Sequence, residues 1–347
     1  MKTKYYKIDD IQSGAARTVI SETAQAIRKG ELVAFPTETV YGLGANGLDA
    51  NAVRKIFAAK GRPSDNPLIL HIAKESMLDE IVCEVNAKTA LLLDAFWPGP
   101  LTVVLRKTDL VPAVTCGGLD TVAVRWPACP IAQALILASD VPIAAPSANT
   151  SGRPSPTCAA AVLADLDAKI AYIIDGGDCE IGLESTVIDC TGEIPVVLRP
   201  GSVTAEMIEV VLGEAALQSF DLLGDNDAPR APGMKYRHYA PRAPLILVDV
   251  DDCDQWSELQ KQLKSVNKRI GFIGSQETCD RMPGNIFCFA LAKKQEIKRA
   301  AANLFKAIRT MDEHNIELIF AETWSDTDIG MALMNRLRKA SGNSKIN

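Results

Sequence analysis

LVAFPTETVYGLGANGLDANAVRKIFAAKGRPSDNPLILHI, residues 32–72, is the stretch around which the rest of the chain is organised. Its apolar run at 32–35 is long enough for a buried strand and too short for a helix. Residues 36–47 mix proline, hydroxyls and glycine, which predicts a loop. Asp49 is placed to cap a helix that ends at Lys60, burying Val53, Ile56 and Phe57, with Gly61 as its terminator. The basic turn Lys60-Gly61-Arg62-Pro63 then leads to a second apolar run, 68–72, which carries His71. Strand, polar loop, helix and strand in that order put hydroxyls, backbone amides and cations at one edge of a sheet. Small-molecule sites of α/β folds are built there.

Outward from this stretch the same alternation continues. Val19, Ile20, Thr23 and Ile27 predict a helix over 15–29 that stops at Gly30. Downstream, helical patches at 77–82 and 89–96 precede a strand at 101–105. Residues 121–125 read as a strand ending in Arg125, followed by a helix at 131–138 and a short strand at 143–145. The segment 146–157 is too rich in Pro, Ser and Gly for regular structure, and Thr157 is placed to cap a helix over 158–166. Strands at 170–174, 186–189 and 196–198 and a helix at 205–212 close the unit, an α/β fold with a mixed sheet. Periodicity fades from 213 to about 241. Four more strand-like runs, at 245–250, 270–273, 286–289 and 318–322, and a long helix at 295–313 predict a second, smaller α/β domain. The expected organisation is a first domain at 1–213, a linker at 214–243 and a C-terminal domain at 244–347.

The length of 347 residues suits two domains of ordinary size. A net charge of −6 excludes a surface built for polyanions in general, so any anion site must be local. The nine cysteines are an odd number without a CxxC pair, which argues against a zinc site or a disulfide scaffold and for a reducing, cytoplasmic compartment. The opening MKTKYYKIDD lacks a signal-like apolar region, and no run approaches the ~20 apolar residues of a membrane span.

Gly42-Leu43-Gly44-Ala45-Asn46-Gly47 satisfies GxGxxG, but it follows the strand too late and the helix opens only near Asp49. The pattern is therefore read as a tight loop with positive φ rather than a dinucleotide fingerprint. Arg54, Lys55, Lys60 and Arg62 form a basic cluster without an acid. Two readings stay open for it: complement to a helix dipole, or a rigid grip on a triphosphate. Arg125 and Arg199 each end a predicted strand, where an isolated arginine is ordinarily a surface residue. Ser147, Asn149, Ser151 and Ser155 suit hydrogen bonds to phosphate or ribose; Ser147 lacks the glycines of a nucleophile elbow. His71 alone reads as a core histidine, and Glu184-Ser185-Thr186 as a plain strand start. No sequence pattern points to a tight metal site, so magnesium would have to arrive with a nucleotide.

Taken together, PTETVYGLG (36–44), KGRPSDNPL (60–68), PGPLT (98–102), VAVRWP (122–127), APSANTSGRPSPT (145–157), ESTV (184–187) and LRPG (198–201) closely resemble the YrdC-like threonylcarbamoyl-adenylate synthases. APGMKYRHYAP (231–241) resembles the linker of the long, two-domain form of that family. The resemblance implies a YrdC-like twisted mixed sheet with flanking helices and a smaller Rossmann-like C-terminal domain. It implies a reaction of L-threonine, bicarbonate or carbon dioxide and ATP with magnesium, giving threonylcarbamoyl-adenylate and pyrophosphate. The threonylcarbamoyl group would then pass to tRNA through the tRNA-modifying threonylcarbamoyl transferase machinery, with at most a weak RNA contact by this chain. By motif matching, Thr39, His71, Arg125 and Ser185 would hold threonine. Arg62, Asn66, Thr121, Ser147, Ser155 and Arg199 would hold ATP, with Lys60 beside them and Tyr236 or its neighbours covering the cleft. Two competing readings are a double-stranded-RNA-binding module without catalysis, disfavoured by the net acidity, and a dinucleotide oxidoreductase, disfavoured by the misplaced glycines.

Overall fold

The computed structural model describes residues 2–218 and 239–346, which divide into two compact units. The first takes in residues 2–151, 155–180 and 184–218 of those described, and the second residues 152–154, 181–183 and 239–346.

The strands of the first unit are β1 (Lys4–Lys7), β2 (Val33–Phe35), β3 (Gly42–Asn46), β4 (Ile69–His71), β5 (Leu101–Arg106), β6 (Thr121–Arg125), β7 (Ile143–Ala144), β8 (Tyr172–Asp175), β9 (Thr186–Asp189), β10 (Val196–Arg199) and β11 (Leu217–Gln218). They form one sheet in the order β1-β8-β2-β3-β7-β4-β6-β5-β9-β10-β11. Its pairings are mixed: β4 and β6 run parallel, while β5 is antiparallel to β6. The helices are α1 (Gly14–Arg28), α2 (Ala50–Lys60), α3 (Glu75–Ile81), α4 (Ala87–Phe96), α5 (Pro130–Ser139), α6 (Ala159–Leu166) and α7 (Ala205–Leu212). α2 has the expected ends: Asp49 accepts from the Asn51 amide, and Gly61 closes the helix in the left-handed region.

Alternation along the central strands gives the sheet two different faces. Leu70, Val103, Leu105, Val122 and Val124 join the large core with α1, α2 and α5. The residues between them, Ile69, Val104 and Ala123, join Val187 and Leu198 in a separate small apolar cluster. His71, Thr102 and Arg125 share that second face, two residues along from Ile69, Val104 and Ala123. The large core therefore leaves this face to the polar residues that border the small cluster.

Three expectations are corrected. The GLGAN segment is strand β3, antiparallel to β2, rather than a loop. None of Gly42, Gly44 and Gly47 has positive φ; they are small because neighbours crowd them. A Cβ on Gly44 would lie 2.8 Å from Phe35 and 2.9 Å from Ile143. Thr157 does not cap α6: the N-cap is Cys158, which makes no side-chain cap bond. β1 went unforeseen because KYYK lies at the sheet edge with mostly exposed side chains, leaving no apolar alternation to read.

In the second unit, β12 (Leu245–Val248), β13 (Ile270–Gly274), β14 (Phe287–Ala290) and β15 (Leu318–Glu322) make an all-parallel sheet ordered β12-β15-β13-β14. Helices α8 (Cys253–Ser265), α9 (Gln276–Cys279), α10 (Ile297–Glu313) and α11 (Ile329–Ser341) accompany it. Its core includes Val248, Leu259, Ile270, Phe272, Leu318 and Phe320. Parallel strands joined through helices match the Rossmann-like expectation.

Candidate functional site

The parallel register of β4 and β6 sets His71 beside Arg125, and the antiparallel register of β5 sets Thr102 on Arg125's other side. β9 pairs Val187 with Thr102, which carries Ser185 alongside; the Thr102 and Ser185 hydroxyls are 2.7 Å apart. Arg199, at the end of β10, donates from Nε to the Ser185 carbonyl at 3.0 Å and from Nη2 to its hydroxyl at 3.1 Å. A row of polar residues thus crosses neighbouring strands: His71, Arg125, Thr102, Ser185, Arg199. Each is at least nine-tenths buried.

Thr39 closes the row from above. Arg125 Nη1 donates to Thr39 Oγ1 at 2.8 Å, and the Thr37 hydroxyl lies 2.8 Å from the same oxygen. Arg125 Nε donates to the Gly99 carbonyl at 3.2 Å, while Nη2 lies 2.7 Å from Glu38 Oε1. Burial pushes the Glu38 carboxyl up, but the Arg125 charge and nearby amides outweigh it and hold the group below the ordinary range. Burial, reinforced by the Arg125 charge, drives His71 down to about 3, so its ring is neutral at physiological pH.

The remaining predicted residues lie in separate groups. Thr121 opens β6, four residues before Arg125, or about 13 Å away at strand rise. Thr121, Ala123 and Arg125 project from the same face of β6. Asn66 precedes β4 at the same end; it is 1% exposed, and its Oδ1 has no hydrogen-bond partner. Arg62 folds back over this segment, its Nη2 donating to the Pro67 carbonyl at 3.1 Å. The Ser147 hydroxyl donates to Asn149 Oδ1 at 2.6 Å, and Ser155 donates to Glu184 Oε1 at 2.5 Å. Arg199, expected with the nucleotide set, contacts Ser185 of the threonine set, so the two sets meet there. Tyr236 lies outside the described residues.

The cations of the basic cluster do not converge. Arg54 donates to Asn51 on the surface, and Lys55 to the Gly30 carbonyl. Lys60 is 2% exposed; it donates to the Ser147 carbonyl and, at 2.6 Å, to the Asn149 carbonyl. It therefore braces the 147–149 loop. Glu38, Thr102 and Glu184 were missed. Glu38 stands between two threonines in a proline-led segment, and that crowding of polar residues after an apolar strand was the available signal. Among the described residues no group of three or more His, Cys, Asp or Glu could hold a metal ion, and no helix is long and apolar enough to cross a membrane. All nine cysteines are free.

Against known families, residues 25–201 match the Sua5/YciO/YrdC model, described as telomere recombination. Residues 203–342 match a second model, described as the threonylcarbamoyl-AMP synthase C-terminal domain. The chain belongs to the Sua5/YciO/YrdC family. It is 51% identical over 320 residues to the threonylcarbamoyl-AMP synthase of Pyrococcus abyssi (strain GE5 / Orsay), covering 91% of this chain and 92% of that one. It is 44% identical to the threonylcarbamoyl-AMP synthase of Bacillus subtilis (strain 168), over the full length of both. The crystal structure of P. abyssi Sua5 complexed with L-threonine superposes with a TM-score of 0.91 at 48% identity, covering 100% of this chain and 99% of that one. This family membership supports the synthase reading and not the RNA-binding module.

Proposed function

We infer that this chain is a nucleotidyltransferase that makes L-threonylcarbamoyl-adenylate from L-threonine, bicarbonate or carbon dioxide and ATP. Pyrophosphate leaves, and the product opens the synthesis of threonylcarbamoyladenosine in tRNA. The observation that carries the reading is the buried row His71–Arg125–Thr102–Ser185–Arg199. It borders an apolar strip whose far end holds Asn66 and Thr121.

In this reading Arg125 partners the threonine carboxylate, with Thr39, His71 and Ser185 around it. A neutral His71 adds no second cation to the pocket. Arg62, Asn66, Thr121, Ser147, Ser155 and Arg199 hold ATP, and the unpaired Asn66 oxygen is a ready acceptor for it. Lys60 acts on the nucleotide through the loop it braces. Magnesium comes as part of the ATP substrate, on its phosphates, where it would neutralise charge. Adenylation then needs a carbamate oxygen in line with the α-phosphorus and cations near the departing pyrophosphate. Positioning and electrostatics can supply this without a covalent nucleophile.

We also propose a catalytic domain at 1–213, a linker at 214–243 that covers the cleft through Tyr236 or its neighbours, and a C-terminal domain at 244–347. The product would be consumed by the tRNA-modifying transferase machinery in the cytoplasm, a reducing compartment that suits nine free thiols. A pyrophosphate-release assay tests the function. Release should require threonine and bicarbonate together, and undiminished release with either omitted overturns the reading.

A further inference from the structure

Arg125, the group given above to the amino acid's carboxylate, already faces a carboxylate of the protein. Its Nη2 lies 2.7 Å from Glu38 Oε1, and the two side chains are only 4% and 10% exposed. The other guanidinium nitrogens are committed as well, Nε to Gly99 and Nη1 to Thr39. Glu38 falls short of that, as does the Arg125 Nη2 atom that faces it. Both Glu38 oxygens are buried; backbone amides of Ala128 and Glu38 itself approach the carboxyl, but neither oxygen makes a hydrogen bond of good geometry. The contact with Arg125 therefore balances its charge without filling its acceptor sites, of which an ionised carboxylate has about four. A buried charge in this state is costly unless something completes its hydrogen bonding.

An α-amino acid carries two opposite charges on one carbon. Its carboxylate needs a cation, and its ammonium offers three donors and no acceptor. Glu38 and Arg125 present the complementary pair, adjacent and held by one short loop and one strand end. A cation alone would take any small carboxylic acid. A cation beside an under-bonded anion favours the zwitterion. Resting on the functional reading above, we propose that Glu38 holds the ammonium group of the amino-acid substrate while Arg125 holds its carboxylate. The pocket then selects a free α-amino acid over a hydroxy acid of the same shape. Thr37, Thr39, Thr102 and Ser185 supply neutral hydroxyls around this pair and cannot replace its charge.

The test is calorimetric titration of the full chain with L-threonine and with 3-hydroxybutanoate, which keeps the carboxylate and hydroxyl and lacks the amine. The native chain should bind threonine at least tenfold more tightly than the analogue. Glu38→Gln should weaken threonine at least tenfold and leave the analogue within about twofold, so that the preference collapses. An equal loss for both ligands would mean that Glu38 only steadies Arg125, and it overturns the proposal alone. A native chain that binds no threonine overturns the functional reading and this proposal with it. Should Glu38→Gln fail to fold, Glu38→Asp serves, since it keeps the charge and shortens its reach. It should weaken threonine more than the analogue, and an equal effect again overturns the proposal.

Discussion

At one end of β6, Arg125 is 3% exposed and commits its guanidinium to Gly99, Thr39 and Glu38. At the other end, Thr121 and Arg62 are half-buried and Asn66 keeps an unpartnered oxygen. One strand thus joins a locked end and a looser one. Under the proposed function, the difference fits the two substrates. An amino acid is small and of fixed shape, so a pocket assembled beforehand loses little in ordering itself. A polyphosphate arrives long, hydrated and with its own metal ion, and half-exposed donors can adjust to it. Each end should therefore fail in its own way when altered.

The largest effect belongs to the locked end. Arg125→Ala leaves the Glu38 carboxylate buried without its counter-charge, a change that costs roughly 3–5 kcal/mol of stability in comparable pairs. Urea unfolding should show that loss, together with the disappearance of threonine binding. A variant that is as stable as the native chain would mean the row is not held in place before substrate arrives.

Lys60 and Arg62 come from one turn and point to different tasks. Lys60→Ala removes two charge-assisted bonds to loop carbonyls, each worth roughly 1.5–3 kcal/mol. Unfolding and ATP titration should show stability and nucleotide affinity falling together. Arg62→Ala should lower ATP affinity by roughly 1.5–3 kcal/mol, about ten- to a hundredfold, and cost less stability than Lys60→Ala because its carbonyl contacts are half-exposed. The two variants behaving alike in both measurements would erase the distinction.

The distinction between those two residues was not legible in the sequence. Lys60 and Arg62 carry the same charge beside a helix end, and only the approach of residues 147–149 in space turns Lys60 inward. The helix between Asp49 and Gly61 was legible because its cap and terminator are local signals. His71, Arg125 and Ser185 were legible only through the resemblance of their motifs; taken alone they read as a core histidine, a surface arginine and a plain strand start. The strand at 42–46 was hidden because glycine has low strand propensity, and its reason for being there, the crowding by Phe35 and Ile143, is not local. Glu38 was hidden for the same cause. Nothing near it in the chain announces Arg125 as its partner, and their pairing depends on how the 36–41 segment folds over β6.

The smallest effect expected is on pH dependence. The folded His71 titrates near 3, against an ordinary value of 6.5, so the unfolded chain takes up a proton first as pH falls. Stability is retained above about pH 6.5 and lost progressively below it, by about 2 kcal/mol between pH 7 and pH 5 from this group. Glu38, held below its ordinary 4.5, keeps its charge throughout that window. Unfolding at the two pH values should show His71→Gln losing that much less than the native chain. Parallel losses would place His71's ring in contact with water.

The most direct test of the whole account follows the carbon atom of bicarbonate. With ATP, magnesium, L-threonine and radiolabelled bicarbonate, the label should appear in an adenylate that also contains threonine, and Arg125→Ala should abolish it. An adenylate that contains threonine and no label would be simple threonyl-adenylate, and it would contradict the account.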